Sequence, residues 1–228
     1  MLRQPIRLAR SFFTREDVLL VSRELLGKYL VTDFGAGRTA GRIVEVEAYR
    51  APEDKASHAY GNRYTERTKV MYALGGHAYI YLCYGIHHLF NVVTGAEGMA
   101  HAVLIRALEP AAGTGLMLRR RRMSKIAPRL TAGPGVLSQA MGITRQHTGT
   151  DMLAPHSPIW IESREAPVSE EDIIAAPRIG VAYAEECAAW EWRFYLRGNA
   201  WVSKRGREGG RENNVNGNLT LRTKYSVK

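Results

Sequence analysis

Two carboxylates stand two residues apart in a segment that alternates between apolar and polar side chains. From Gly41 to Tyr49 this alternation predicts a β-strand, with Glu45 and Glu47 together on one face. Burial of neighbouring like charges raises the proton affinity of at least one carboxyl group, and a carboxylate pair beside a cleft can hydrolyse a glycosyl bond. A surface strand that carries two acids on its solvent face fits the same spacing. The pattern alone leaves both interpretations open.

Four tyrosines lie in or next to two predicted strands, namely Tyr49, Tyr79, Tyr81 and Tyr84. Flat aromatic faces of this kind can stack on a nucleobase or wedge into a base step. Strand tyrosines more commonly pack within a sheet, and this is the alternative for Tyr79 and Tyr81. Tyr84 stands beside Gly85 at a predicted turn, so packing within a sheet explains it less well.

The chain is basic, with 32 Lys and Arg residues against 22 Asp and Glu residues and a formal net charge of +10. This balance favours a polyanionic partner such as nucleic acid. The run from Arg119 to Arg122, with Lys125 and Arg129, contains no acid. It fits either a solvated helix face or a surface that contacts phosphates. The segment from Thr131 to Gly135 then begins a predicted helix, whose free amides could bind an anion.

The elements that must position these residues are short strands and a few helices. Thr14 followed by Asp17 predicts the capped start of an amphipathic helix that ends near Gly27. Pro52 begins a predicted short helix that places His58 near the strand's end. Further strands are predicted at 79–84, 89–93, 102–108, 159–161, 179–183 and 193–196, and helices at 116–122 and 135–141. We expect one domain of the α+β (mixed α/β) class, with a curved, mostly antiparallel sheet and flanking helices.

Residues 1–203 are expected to form this domain, and the charged, Gly-rich and Asn-rich residues 204–228 a disordered basic tail. The chain has two cysteines, Cys83 and Cys187, without zinc spacing, so neither a disulfide framework nor a metal site is indicated. Adjacent His87 and His88 would point to opposite faces of a strand, which argues against a metal there. With no signal peptide and no membrane-spanning apolar run, we expect a cytoplasmic, nucleoid-associated protein.

Several separated blocks of the sequence occur in a recognisable order. They are Gly41 to Tyr49, Pro52 to Asp54 with His58, Tyr79 to Gly85 with Asn91, Ala102 to Pro110, Ala132 to Gln139, Arg193 to Gly198 and Trp201 to Ser203. In these blocks the chain resembles the alkyladenine (3-methyladenine) DNA glycosylase family. The resemblance covers about residues 7–203 and ends before the tail.

The resemblance implies a monofunctional DNA glycosylase that flips alkylated or deaminated purines out of duplex DNA and hydrolyses their N-glycosidic bond to leave an abasic site. The purines would be 3-methyladenine and 7-methylguanine, with hypoxanthine and ethenoadenine as further candidates. Glu47 would be the base that activates water, whereas Glu45 is not implied as catalytic. No metal or organic cofactor is implied. The expected partner is double-stranded DNA that contains damaged purines, bound by a monomer.

The same resemblance implies a pocket for the flipped base. Tyr49 and His58 would contact one face of the base, and Tyr81 the other face. Asn91 would crowd the edge where guanine carries its exocyclic amine. Arg106 would help to place the water and the lesion's phosphate.

Contacts with the rest of the duplex are implied in the same way. Tyr84 would insert into the duplex where the lesion had been. Contacts with the DNA backbone would come from Arg63, Thr65, Gly133 and Gly135.

Two other functions fit parts of the sequence. A non-enzymatic nucleic-acid-binding module would use the charge and the tyrosines, but Glu45 and Glu47 would only repel phosphate. A carbohydrate hydrolase would use both acids but would leave the run from Arg119 to Arg122 without a purpose. The family resemblance favours the glycosylase over both.

Overall fold

The computed structural model describes residues 5–203, and nine strands of this range form one sheet. The strands are β1 (Ile6–Arg7), β2 (Tyr29–Asp33), β3 (Arg38–Arg50), β4 (Ala78–Cys83), β5 (His87–Thr94), β6 (His101–Ala112), β7 (Ile159–Ser163), β8 (Ile173–Ala176) and β9 (Arg193–Leu196). Their order is β1-β7-β2-β3-β6-β5-β4, with β9 paired to both β3 and β8. Each pair is antiparallel, which confirms the predicted α+β domain with a mostly antiparallel sheet.

Four α-helices of the described range flank the sheet. They are α1 (Arg10–Phe13), α2 (Val18–Leu25), α3 (Thr114–Arg121) and α4 (Pro134–Met141). Helix α2 begins later than the predicted start at Thr14, because Thr14 ends α1 and Asp17 caps α2. The carboxylate of Asp17 accepts hydrogen bonds from the amides of Leu19 and Leu20. Its apolar face, which includes Val18 and Val21, is buried in the main core.

Strand β3 organises the sheet. One of its edges pairs with β6, while its other edge pairs first with β2 and then with β9. Register shifts against β6 lie next to Glu45, and irregularities of this kind change the direction of neighbouring side chains. The strand buries both of its faces, because Val44 and Val46 lie in the main core and both Glu45 and Glu47 have 0% exposure. Its carboxylates therefore need partners inside the protein.

The helix predicted after Pro52 is wrong, since the segment as far as His58 consists of turns. Side chains take the amide hydrogens that a helix would use: the Asp54 carboxylate accepts from the amide of Ala56, and the Ser57 hydroxyl accepts from the amide of Ala59. Short polar side chains compete with helical hydrogen bonding in this way. The turns nevertheless bring His58 to the end of β3, as was expected.

The strand predicted over residues 179–183 is also wrong. Gly180 has a φ of 81°, which ends extended backbone, and the 3₁₀ segment Ala182–Ala189 begins soon after it. The amide of Ile179 donates to the side chain of Glu47 instead of to a strand partner. The strand in this part of the chain is β8, which lies earlier and was not predicted.

Two expectations concern the limits of the domain. The predicted basic tail, residues 204–228, lies outside the described residues, and the assignment of residues 1–203 to one family domain stays a prediction. In the described range, no helix is long and apolar enough to pass through a bilayer.

The cap of α2 gives a stability prediction. Replacing Asp17 with Ala removes the acceptor of two helix amides, so we expect a loss of about 1 kcal/mol in the free energy of unfolding. Chemical denaturation measures this loss. The neighbouring exposed acid provides the control, because Glu16→Ala should change stability by much less. Equal stabilities of the two variants would contradict the capping role.

Candidate active site

A network of four charged side chains lies inside the sheet. The Glu45 carboxylate accepts hydrogen bonds from Arg106 Nε at 3.0 Å, Arg193 Nη1 at 3.1 Å and the Ser203 amide at 2.7 Å. Arg106 Nη1 also lies 3.1 Å from Glu47 Oε1, so one guanidinium joins both carboxylates. Burial alone would lower the pKa of Arg106, but the charges of Glu47 and Glu45 outweigh it and raise that pKa. The two arginines balance the two acids.

Glu47 differs from Glu45 in what its second oxygen contacts. Its Oε1 accepts a hydrogen bond from the Ile179 amide at 2.7 Å and lies 3.1 Å from Arg106 Nη1, while its Oε2 accepts from the Tyr49 hydroxyl at 2.7 Å. Burial, followed by the charge of Glu47, raises the pKa of Tyr49 well above its ordinary value. The Tyr49 hydroxyl therefore remains a donor to Glu47.

Tyr49 connects this network to a pocket lined mainly by aromatic rings. The cavity has a volume of about 40 Å³, and its lining consists of Tyr49, Ala56, His58, Met71, Tyr79, Tyr81, Asn91, Ala102 and Tyr183. We call it the aromatic pocket. The rings of His58 and Tyr81 meet edge to face, with centroids 4.6 Å apart. A lining of this kind suits a flat, aromatic ligand.

Hydrogen bonds fix the tautomer of His58. Its Nε2 lies 3.0 Å from Arg67 Nη2, and its Nδ1 lies 2.7 Å from the Tyr79 hydroxyl. A guanidinium can only donate, so Nε2 is the acceptor and Nδ1 carries the proton. Burial, and then the charge of Arg67, lower the pKa of His58 to about 4. At neutral pH the imidazole therefore brings no charge into the pocket.

Asn91 reaches the aromatic pocket from β5. Its side-chain nitrogen donates to the carbonyls of Tyr79 at 3.1 Å and Leu89 at 3.2 Å. Both bonds use the amide nitrogen, so the carbonyl oxygen of the side chain is the atom that remains for a ligand. The structure thus gathers the residues predicted for catalysis and for the base pocket into one region: Glu47, Arg106, Tyr49, His58, Tyr81 and Asn91.

Tyr84 lies apart from that group, at the tip of the hairpin that joins β4 to β5. Three residues join Cys83 to its strand partner His87, and the first two, Tyr84 and Gly85, have positive φ values of 50° and 73°. The Ile86 amide closes this turn by donating to the Cys83 carbonyl at 3.2 Å. Tyr84 is 89% exposed, and the neighbouring Ile86 is 71% exposed. The tip therefore presents two large apolar side chains to solvent.

The predicted DNA-backbone residues lie at two places. Arg63 and Thr65 line a second cleft, which shares His58 with the aromatic pocket. Gly133 and Gly135 stand at the start of α4, where a Cβ on Gly135 would come within 2.9 Å of the His87 ring. Because His87 belongs to the same hairpin as Tyr84, the start of α4 lies beside that hairpin.

The basic run on α3 has a mixed environment. Arg120 donates to the carbonyl of Ala140, and Arg121 donates to the carbonyl of Arg129, so these two side chains connect neighbouring segments. Arg119 and Arg122 are exposed. Half of the run therefore serves packing, and the other half remains available to an anion.

Two residues that the sequence interpretation missed belong to this region. Ile179 supplies the amide that holds Glu47, and Arg178 is paired with Asp54 beneath Tyr49. In the motif from Pro52 to Asp54 the one signal is Asp54 itself. Nothing near Asp54 in the sequence indicates that its partner is Arg178, more than a hundred residues away. Among residues 5–203, no three His, Cys, Asp or Glu side chains lie close enough together to hold a metal ion.

The pKa of His58 gives a prediction about stability. In the unfolded chain His58 binds a proton below its ordinary pKa of 6.5, whereas in the folded protein it binds that proton only below about pH 4. The stability that His58 contributes is therefore present above pH 6.5 and is lost as the pH falls toward 4. Denaturation across this range should show a weaker pH dependence for His58→Gln than for the unmodified protein. Burial also lowers the pKa of His101 and His147, so part of the dependence should remain in the variant. Equal slopes for both proteins would contradict the assignment.

Comparison with known proteins identifies the family. The profile of the family described as Methylpurine-DNA glycosylase (MPG) matches residues 11–200. A protein of Chlamydia felis, provisionally named 3-methyladenine DNA glycosylase, is 47% identical over 190 residues, which cover 83% of this chain and 95% of that protein. A Bacillus cereus protein with the same provisional name is 44% identical over 199 residues, covering 85% of this chain and 97% of that protein. The chain therefore belongs to the methylpurine-DNA glycosylase family and is a hydrolase of N-glycosyl bonds.

Proposed function

We propose that this DNA glycosylase is monofunctional, flips a damaged purine into the aromatic pocket and hydrolyses its N-glycosidic bond with water activated by Glu47. The observation that carries the proposal is the hydrogen bond from Tyr49, which lines the pocket, to the buried carboxylate of Glu47. The proposed substrates are alkylated or deaminated purines in double-stranded DNA. They include 3-methyladenine and 7-methylguanine, with hypoxanthine and ethenoadenine as further candidates.

The pocket's chemistry supports selection of an alkylated purine. Such a base carries positive charge, and the faces of Tyr49 and Tyr81 attract an electron-poor or cationic ring. His58 is uncharged at neutral pH, so its imidazole does not repel the base. The proposed role of Asn91 is to crowd the exocyclic amine of normal guanine, which would keep that base out.

The hydrogen bonds of Glu47 support its role as the general base. Oε1 accepts a hydrogen bond from the Ile179 amide and lies 3.1 Å from Arg106 Nη1. Oε2 accepts one hydrogen bond, from Tyr49, and keeps acceptor capacity that a water molecule would use. The negative charge would also stabilise the oxocarbenium-like transition state as the bond to the base breaks.

Arg106 and a water molecule complete the proposed chemistry. Arg106 would orient Glu47 and help to place the water, and its role toward the lesion's phosphate rests on the family resemblance. The choice of water as the nucleophile rests on the same resemblance. Among the described residues, no lysine lines the aromatic pocket, so an amine that could form a Schiff base is absent from its walls.

The surface around the pocket fits duplex DNA bound by a monomer. Tyr84, at the exposed tip of its hairpin, would fill the space that the flipped base leaves. Arg63 and Thr65 in the adjoining cleft would contact the DNA backbone. Gly133 and Gly135 would contact a phosphate at the start of helix α4, which has no side-chain cap. The Gly133 amide donates to the carbonyl of Thr131 at 3.1 Å, so the amide of Gly135 is the proposed donor.

The proposed function is tested by Glu47→Gln, which keeps the shape of the side chain but removes its charge and its basicity. We expect the single-turnover rate of purine release from methylated duplex DNA to fall by about a hundredfold or more. Binding to the lesion should survive, because the aromatic pocket is intact. Saturating enzyme keeps slow release of the abasic product from hiding the chemical step.

Glu45→Gln is the matched control. It leaves two buried arginines with one acid between them, so we expect a loss of about 3 kcal/mol in stability. Excision by the folded fraction should remain substantial. Normal excision in Glu47→Gln together with loss in Glu45→Gln would reverse the assignment, and loss of binding in both would make the pair structural.

The proposed wedge is tested by Tyr84→Ala. Unstacking a base costs a few kcal/mol, and the shortened side chain can no longer fill the vacated stack, so affinity for lesion-containing DNA should fall. Affinity for undamaged DNA should fall less. Tyr84→Phe keeps the ring and should behave like the unmodified enzyme in both binding assays. If lesion affinity is unchanged in Tyr84→Ala, Tyr84 is not the wedge.

A further inference from the structure

A second buried ion pair lies behind the aromatic pocket and has no part in the chemistry proposed above. The side chains of Arg178 and Asp54 both have 0% exposure. Two parallel hydrogen bonds join them, from Nη1 to Oδ2 at 2.5 Å and from Nη2 to Oδ1 at 2.8 Å. The acid balances the charge of the guanidinium, so the pair adds no net charge to the network around Glu45 and Glu47.

Arg178 contacts the active strand at two points, and the next residue, Ile179, contacts it at a third. Its Nη1 donates at 2.9 Å to the carbonyl of Ala48, the residue between Glu47 and Tyr49. Its guanidinium carbon lies 4.8 Å from the centre of the Tyr49 ring. The next residue in the chain is Ile179, whose amide donates to Glu47 Oε1 at 2.7 Å. One side chain therefore supports the backbone between the two active residues, a wall of the pocket and the amide that holds the carboxylate.

Arg178 also contacts the 3₁₀ segment that follows Ile179 in the chain. Its Nη2 donates at 3.1 Å to the carbonyl of Cys187, which lies in the 3₁₀ segment Ala182–Ala189. The same segment contains Tyr183, which lines the aromatic pocket. Asp54 thus accepts from both Nη atoms of the guanidinium and Cys187 accepts from Nη2. Ala48 accepts from Nη1 and so joins the guanidinium to β3. A planar fork of donors can make all of these bonds at once, which a lysine ammonium cannot.

We propose that Arg178, held by Asp54, is a positioning residue that sets the orientation of Glu47 and Tyr49 in the reaction. This inference rests on the proposed function, because it assigns a task relative to Glu47 as the base. A buried ion pair is seldom more stabilising than apolar side chains of the same volume, so stability alone does not account for it. Its contacts with Ala48, Tyr49 and the 3₁₀ segment after Ile179 supply the remaining reason.

The expected consequence is a loss of rate with little loss of binding. Displacement of a catalytic group by about 1 Å can cost about a hundredfold in rate, whereas the stacking surfaces of the pocket would remain. We therefore expect Arg178→Met to lower the single-turnover excision rate about a hundredfold and to change lesion affinity less than tenfold. Arg178→Lys keeps the charge but not the fork, so its rate should lie between those of Arg178→Met and the unmodified enzyme.

The experiment measures three quantities for each variant. They are the single-turnover release of methylated purines from methylated duplex DNA, the Kd for a duplex with an uncleavable abasic-site analogue, and the Tm. Arg10→Met is the matched control. Arg10 forms a two-bond ion pair with Asp151, and neither residue lines the aromatic pocket. We expect this control to lower the Tm and to keep the excision rate of its folded fraction.

The outcomes separate this inference from the proposed function. If the unmodified enzyme releases no methylated purine, or if Glu47→Gln releases it at the normal rate, the proposed function fails and the inference fails with it. If those two behave as expected and Arg178→Met excises within threefold of the normal rate, the inference alone is overturned. The inference is also overturned if Arg178→Met loses rate and affinity in parallel and if Arg10→Met, at an equal loss of Tm, shows losses of the same size. If Arg178→Met does not fold, Arg178→Lys decides: a rate at least fivefold lower with unchanged Kd supports the inference, and a normal rate contradicts it.

Discussion

Glu45 and Glu47 lie without solvent contact in the middle of β3, and this burial constrains the rest of the structure. A buried carboxylate costs several kcal/mol unless opposite charge and hydrogen-bond donors accompany it. Arg106 and Arg193 supply the charge from β6 and β9, the two strands that border this part of β3. The pairing of the central strands is therefore also what balances the charge of the active site.

The same network gives two chemically identical side chains different roles. Glu45 contacts two guanidinium groups and the amide of Ser203, all of them outside the lining of the aromatic pocket. Glu47 shares Arg106 but contacts Tyr49, a wall of that pocket. Glu45 holds Arg106 and Arg193, and Arg106 in turn contacts Glu47. On this account Glu45 balances the charge of the buried arginines, whereas Glu47 lies where the charged network meets the pocket.

Local sequence patterns predicted the parts of the site that depend on local structure. Alternation predicted β3 with both acids on one face, and turn chemistry predicted Tyr84 at a hairpin tip. Spacing could not choose between Glu45 and Glu47, because the choice depends on donors from distant strands; only the family resemblance favoured Glu47. The contact between Ile179 and Glu47 joins residues that lie far apart in the chain, and a backbone amide has no sequence signal. The turns before His58 were interpreted as a helix because the pattern does not show that the side chain of Asp54 takes a backbone amide and pairs with Arg178.

The central claim is that Glu47 keeps one acceptor position for a water molecule that faces the sugar of a base held in the aromatic pocket. The most direct measurement is a crystal structure of the Glu47→Gln variant with duplex DNA that contains a stable 3-methyladenine isostere. The account predicts that the base lies between Tyr49 and Tyr81, with an ordered water between the side chain of residue 47 and the anomeric carbon. A base in the pocket whose anomeric carbon faces away from residue 47, or a lesion that stays stacked in the duplex, would contradict it.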